Sequence, residues 1–285
     1  MLLPLPAGAL LLSILTVCLP GVLASAGPAR ALGDTGSESA HEDGLSGRDI
    51  YDRLLANRFE ASEQTVRLVS GDRGGNEQES RMTVLWKSFR DETGAPRRGV
   101  LSKTRILYTH PFDLRFSGYL IVHNRDRADD QFVYLASRRR VRRVRLRGEA
   151  VMGTDFSFED VVPREVEDAD YRRLADETWD GRECYVVEIT PRPESESEYS
   201  RFVSRIDRER MVVLHTRYWS SAGVEVKELK APAAEVERID GIWVPMRAEM
   251  RHLLTGGYTI LHVETMTGNP PMPDAEFDPR RLESH

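Results

Sequence analysis

The stretch RMTVLWKSF, residues 81–89, decides the fold. Met82, Val84 and Trp86 alternate with Arg81, Thr83 and Lys87. A period of two sends successive side chains to opposite faces of a strand, so one face here is apolar and the other polar. Three further stretches, TRILYTH (104–110), GYLIVHN (118–124) and QFVYLAS (131–137), are rich in β-branched and aromatic residues. Turn residues separate them: Asp91-Glu92-Thr93-Gly94, His110-Pro111, and the run from Arg125 to Asp130. Together they read as an antiparallel meander.

The second half repeats the pattern. Its strand candidates are CYVVEIT (184–190), SRFVSRID (200–207), MVVLHTRYW (211–219), VEVKELKA (224–231), IWVPMRAEM (242–250) and YTILHVETM (258–266). Asp207–Arg210, Ser221-Ala222-Gly223, Asp240-Gly241 and Thr255-Gly256-Gly257 supply the turns. About ten strands with few helices predict a mainly β protein with short α segments, built on one large antiparallel curved sheet or barrel. With so little helix to cover it, the sheet must curl around its own side chains or around a ligand.

The flanks have other characters. The first 26 residues carry no charged side chain and end in Ala24-Ser25-Ala26, a small-x-small cleavage pattern, so residues 1–26 read as a signal peptide. Pro4, Pro6, Pro20 and Gly21 interrupt the apolar run, which disfavours a spanning helix. Cys18 follows Leu15-Thr16-Val17, which resembles a lipoprotein processing site with a bulky valine in place of a small residue. Anchoring through the N-terminal segment or Cys18 is therefore the alternative to export with cleavage. Cleavage after Ala26 leaves Cys184 as the one thiol, with no intramolecular disulfide. Residues 27–47 read as a flexible leader, and 48–285 as one domain. Ser46-x-x-Asp49 resembles a capping box opening a helix, with Ile50, Leu54 and Leu55 as its apolar stripe over Ile50–Arg58. ESESE (194–198) reads as a solvated loop. The tail from Asn269 has four prolines and is expected to be irregular, with Phe277 and Leu282 as candidate docking residues.

The net charge of −6, with 30% charged and 40% hydrophobic residues, allows a real core and argues against general nucleic-acid affinity. The seven histidines form no HExxH pair or Cys/His cluster, and there is no GxSxG or phosphate-binding glycine loop. No catalytic residue, metal or cofactor is expected. Asp155, Glu159 and Asp160 in MGTDFSFED (152–160) lack the ligand spacing of a calcium loop. That stretch reads as a packed corner, with Phe156 and Phe158 inside and the acids capping or pairing with nearby arginines. In SRRRVRRVRLRG (137–148), neither side of a strand is cleanly apolar. Arg138, Arg139, Arg140, Arg142 and Arg143 there form either an exposed edge protected by charge or a docking surface for an acidic partner or lipid headgroup. Met82, Val84, Trp86, Tyr108, Tyr119, Phe132, Tyr134, Tyr185, Met246 and Met250 lie on predicted strands and are the candidates for a lipid-lined interior. Periodicity alone does not distinguish a filled interior from a hollow one.

From about Arg81 to Leu282 the chain resembles the LolA-like family of outer membrane lipoprotein-sorting proteins. The resemblance is carried, in order, by PFDLRFSGYLIVHN (111–124), DDQFVYLASRRRVRRVR (129–145), MGTDFSFEDVV (152–162), ETWDGRECYVVEITPRP (177–193), IDGIWVPMRAEM (239–250) and TGGYTILHVE (255–264). Gly153, Asp155, Phe156, Phe158, Glu159 and Asp160 stand in its most recognisable motif. Ala136 departs from a frequent proline and Thr154 from a frequent serine. The resemblance implies an unclosed β-barrel with capping helices across its opening and a hydrophobic cavity. It further implies a periplasmic carrier of lipid or acylated lipoprotein cargo, and the chain is expected to be a monomer. Such a carrier would work between an inner-membrane transporter and an outer-membrane acceptor, or as an accessory of an RND-type exporter. A lipid-sensing or interaction module acting on a membrane partner is the alternative reading, and an enzyme acting on lipids or glycans is a more distant one.

Overall fold

The computed structural model describes residues 43–145, 154–161 and 164–283. The chain opens with helix α1 (Gly47–Ala56), started by a reciprocal cap. The Ser46 hydroxyl accepts from the Asp49 N–H at 3.1 Å, and the Asp49 carboxylate accepts from the Ser46 N–H at 2.9 Å. Six strands follow: β1 (Ala61–Gly71), β2 (Glu77–Ser88), β3 (Val100–His110), β4 (Gly118–Asn124), β5 (Asp130–Leu135) and β6 (Arg140–Val144). A one-turn helix, α2 (Phe158–Val161), leads into β7 (Ala169–Arg173), β8 (Glu177–Trp179), β9 (Arg182–Pro191), β10 (Tyr199–Asp207), β11 (Val213–Ser220) and β12 (Glu225–Lys230). After a ribbon of β13 (Val236–Ile239) and β14 (Ile242–Pro245) come β15 (Arg247–His252) and β16 (Tyr258–Gly268).

Fourteen of these strands form one antiparallel sheet in the order β6-β5-β4-β3-β2-β1-β16-β15-β12-β11-β10-β9-β7, with β8 also on β9. The first and last strands of this path do not pair with each other, so the sheet is curved but unclosed. Its two halves nonetheless face one another. Tyr119 and Ile121 of β4 share a single buried cluster with Tyr185 and Val187 of β9, which lies far along the strand order. Burial of these alternating side chains from both halves supplies the main driving force for curling, at about 25 cal/mol per Å² of apolar surface.

The outer face is covered in two patches. On the first half, the C-terminal tail lays Met272, Phe277 and Leu282 against Phe89, Leu120, Val122 and Tyr134. The Phe277 ring stands edge-on to Phe89 at 5.8 Å. On the second half, Trp243 of the β13–β14 ribbon, with Val236 and Ala233, covers Cys184, Val212 and Leu214.

Two sequence expectations change here. Phe132 and Tyr134 do not face the interior. Register pairs Leu120 with Phe132 and Gly118 with Tyr134, and directly opposed residues share a face, so both lie on the Leu120 side, under the tail. The stretch 242–250 is not one strand. It breaks at Met246, whose N–H turns to the Glu235 carbonyl at 2.8 Å, and the halves join different sheets.

Helix α1 sits so close to β7 that only glycine fits at its first position. A Cβ on Gly47 would lie 2.8 Å from the Arg173 nitrogen and 3.0 Å from the Arg172 carbonyl carbon. Gly47→Ala is therefore expected to destabilise by about 1–3 kcal/mol through overpacking, outweighing the roughly 1 kcal/mol gain in helix propensity. Urea unfolding checks this, and an unchanged or raised midpoint would mean that α1 does not press on the β7 backbone.

Candidate functional site: the covered inner face

Met82, Val84, Tyr108, Tyr119, Tyr185 and Met250, all singled out from sequence, meet in the inner cluster, with Met246 partly buried against it. Trp86 is buried on the same face of β2. The Trp86 indole N–H and the Tyr108 hydroxyl are buried without a hydrogen-bond partner among the described residues. What covers this face is small. Ile50 and Tyr51 of α1 reach it from one side, with Phe156 and Phe158 beside them, and all four are buried. The Tyr51 ring lies 4.5 Å from that of Tyr171, and the Phe158 ring meets Tyr119 edge-on at 5.6 Å.

Polar contacts at its margins hold this cover in place. Arg173, 2% exposed, joins Asp43 just before α1 to Asp176, and donates to the Leu45 carbonyl at 3.0 Å. After α1, Asn57 accepts from the Trp243 N–H at 3.0 Å and donates to its carbonyl at 2.9 Å. In the Thr154–Val161 segment each acid has its own partner. Asp155 accepts from the Thr259 hydroxyl at 3.1 Å on β16. Glu159 pairs with Arg164 at 2.8 Å and accepts from the Ser197 hydroxyl and, at 2.8 Å, from the Glu198 N–H. Asp160 accepts from the Ser157 N–H at 2.7 Å, from Tyr199 at 2.9 Å and from Lys227 at 2.8 Å. The acids thus tie the segment to β16, to the loop before β10, and to β10 and β12, and do not converge on one point. Burial raises the Asp155 carboxyl above its usual range. Burial also opposes the charge on Asp160, but the Lys227 ammonium and the donors around it bring that carboxyl below its usual range.

Beside Phe158 opens a cleft of about 520 Å³, lined among others by His123, Arg125, Arg127, Glu159, Arg164 and Glu196. His123 Nδ1 lies 3.0 Å from Asp129 and Nε2 3.9 Å from Glu165. Burial pushes the imidazole down, yet these two carboxylates leave it above its ordinary value. Arg90 pairs with Glu165 at 2.5 Å behind it. Charged side chains rim the cleft and Phe158 forms part of its wall, while the apolar cluster behind Phe158 is buried.

The remaining sequence candidates sit elsewhere. Arg138 and Arg139 form the β5–β6 turn, and Arg140, Arg142 and Arg143 lie exposed on β6, which has one sheet neighbour. Arg143 is paired with Asp130. Gly153 and Arg147 lie outside the described residues, as do residues 1–42. Lys227, Arg164, Tyr199 and His123 were not singled out from sequence. Their partners are either far away in the chain or lie across a turn, so no spacing signal marks them.

An open antiparallel sheet, curled around an apolar inner face and stopped by a short helix and a phenylalanine-bearing turn, defines a half-barrel of the LolA type. A family model whose description reads "Uncharacterized protein" matches residues 101–284. The chain belongs to that family. Solved structures agree with this fold. A DUF1329 family protein from Desulfovibrio piger is 25% identical, with a TM-score of 0.76 over 83% of this chain and 97% of that one. A domain described as an outer membrane lipoprotein-sorting protein from Vibrio parahaemolyticus is 21% identical, with a TM-score of 0.74 over 83% and 98%. A LolA superfamily protein from Nitrosomonas europaea is 19% identical, with a TM-score of 0.63 over 82% and 98%. None of the curated proteins matches the chain. No helix among the described residues is long and apolar enough to cross a membrane.

Proposed function

We propose that this protein is a monomeric periplasmic carrier that shields the acyl chains of a lipid or acylated lipoprotein on the inner face of its half-barrel. One observation carries the reading. A large apolar face, spanning both halves of a fourteen-stranded sheet, is covered among the described residues chiefly by one ten-residue helix and one short segment, each tied down at its margins by polar contacts. Such a cover can lift as a unit, exposing Met82, Val84, Tyr108, Tyr119, Tyr185 and Met250 to a ligand. Each acyl methylene then removed from water contributes about 0.8 kcal/mol, so a long chain is firmly held without a covalent step. Met82, Met246 and Met250 suit a ligand of variable shape, because methionine adapts its rotamers. Release requires a partner with a competing site. An inner-membrane transporter on the donor side and an outer-membrane acceptor fit that need, as does an RND-type exporter. The exposed arginines of β6 are the docking edge in this reading.

The test is mass spectrometry after organic extraction of protein purified from its native compartment without detergent. A stoichiometric lipid or acylated peptide is the expected result. Protein that is empty, and stays empty after incubation with membranes, would reassign the inner face to a filled core and the protein to an interaction module. Trp86→Glu is expected to reduce retained lipid at least tenfold, because a charge facing an acyl chain is strongly disfavoured. Normal retention in the folded variant would count against this wall.

A further inference from the structure

The strand order places six hairpin connections along one rim of the sheet: β5–β6, β3–β4, β1–β2, β15–β16, β11–β12 and β9–β10. Registers confirm the common rim, since Gly118 opposes Tyr134, Gly71 opposes Tyr258, and Lys227 opposes His252. The large hydrophobic side chains exposed among the described residues are Phe112, Phe116, Val224, Leu253 and Leu254. All of them lie in these hairpin tips, and none in the connections of the opposite rim. Phe112 is 90% exposed and Leu254 57%. The β1–β2 tip stands between the two most apolar tips and touches one of them, Arg73 donating to the Leu254 carbonyl at 3.2 Å.

Arginines are interleaved with these side chains. Arg115 shares the β3–β4 tip with Phe112 and Phe116, Arg73 stands on the β1–β2 tip between the apolar ones, and Arg138 and Arg139 occupy the neighbouring β5–β6 tip; all four are exposed. Elsewhere most arginines are held in carboxylate pairs, but these four form no ion pair among the described residues. Against them stand Asp72, which is engaged by Gly74 and Asn76, and Asp113. Four arginines less two aspartates leave the five tips from β5–β6 to β11–β12 at +2 on a chain of net −6, with the surplus at Arg138 and Arg139. The sixth tip, the β9–β10 loop at the far end of the rim, carries Arg192 against Glu194, Glu196 and Glu198 and offsets that surplus, so the cationic part of the rim is its β5–β6 end.

We propose that this rim docks on a bilayer containing anionic lipid. Phe112, Phe116, Leu253 and Leu254 enter the interface while Arg73, Arg115, Arg138 and Arg139 meet the headgroups. A protein partner would want a groove or a continuous apolar patch; here the apolar groups stand on separate protruding tips with cations between them. A fluid interface accommodates that spacing, and both contributions add. The inference does not depend on what the inner face binds.

The experiment compares the full chain with Phe112→Trp, both mixed with phosphatidylethanolamine–phosphatidylglycerol vesicles carrying brominated acyl chains. The difference in fluorescence isolates the tip from the four native tryptophans and from any contribution of residues 1–42. Quenching of that difference signal by the brominated chains is the expected result. Arg138→Glu/Arg139→Glu is expected to weaken this quenching response by roughly 30-fold in vesicle concentration, at about 1 kcal/mol per arginine. It should leave no response to separate when the vesicles contain only phosphatidylcholine. An unquenched difference signal would overturn the proposal. So would a blue shift of that signal that appears with rising protein concentration in the absence of vesicles, since it would show the rim to be an interface between copies of the chain.

Discussion

Phe158→Ala is expected to cost the empty protein about 3–5 kcal/mol and to increase the lipid it takes up. The phenylalanine is 2% exposed, packs edge-on to Tyr119 and belongs to the inner cluster. Its removal leaves a void between the cleft beside it and the apolar face, because Phe158 also lines that cleft. In a protein that only stabilises itself, such a void is pure loss. In a carrier, the same void is the start of the binding site and a ligand can fill it. Denaturant unfolding measures the first effect, and native mass spectrometry after incubation with phospholipid measures the second. Stability lost with no gain in uptake would identify the inner face as a filled core. An uptake gain that also appears in a control such as Phe277→Ala, which opens the outer face under the tail, would show only general loosening.

Much of the fold was legible because its strands announce themselves by alternation. Met82, Val84 and Trp86 are apolar, their neighbours polar, and β2 follows directly. Alternation sets in near Ser62, yet no strand is delimited over β1, for the opposite reason. Its inward positions include Ser62, Gln64 and Ser70, all buried, so the period of two is present in burial but not in hydropathy. Ser70 is satisfied by the Thr259 hydroxyl at 3.1 Å on the neighbouring strand, a partner that no local pattern reveals. β7 was hidden by Arg173, which counts as a surface residue until Asp43 and Asp176 neutralise it. The misplacement of Phe132 and Tyr134 has a different origin. Alternation separates two faces without saying which is inside, and β4 is apolar on both because the C-terminal tail covers its outer side. The tail's Phe277 and Leu282 were picked out as docking residues, and both are buried there. For the site, the phenylalanines of TDFSFED could be read as inward, but not what their acids hold. Asp160 meets Lys227 from a strand 67 residues away.

That contact yields the other large effect. Lys227→Met is expected to destabilise by about 3–5 kcal/mol, since removing one partner strands a buried charge. The Asp160 side chain is 1% exposed and the lysine 11%, so solvent does little to screen the loss. The pH dependence separates this cause from simple loss of packing. In the parent, Asp160 titrates below its ordinary 3.8, so its contribution is complete above that value and fades as pH falls through the lower native one. Without Lys227, burial dominates and the native carboxyl titrates above 3.8. Its ionisation then opposes folding at neutral pH, and acidification toward about pH 4 recovers stability. The gap between parent and variant should therefore be widest at neutral pH and narrow toward about pH 4. Urea unfolding across that range measures it, and Asp160→Asn/Lys227→Met should be more stable than Lys227→Met alone, because no charge remains to be buried. A gap that holds constant with pH would mean that the lysine acts through its methylenes over the Tyr199 ring, 5.6 Å from its ammonium, and not through the carboxylate. If the gap narrows as expected, the same pair is the strap that holds the Phe156–Phe158 cover against β12. In the carrier proposed above, rupture of this pair is the step expected to open the inner face.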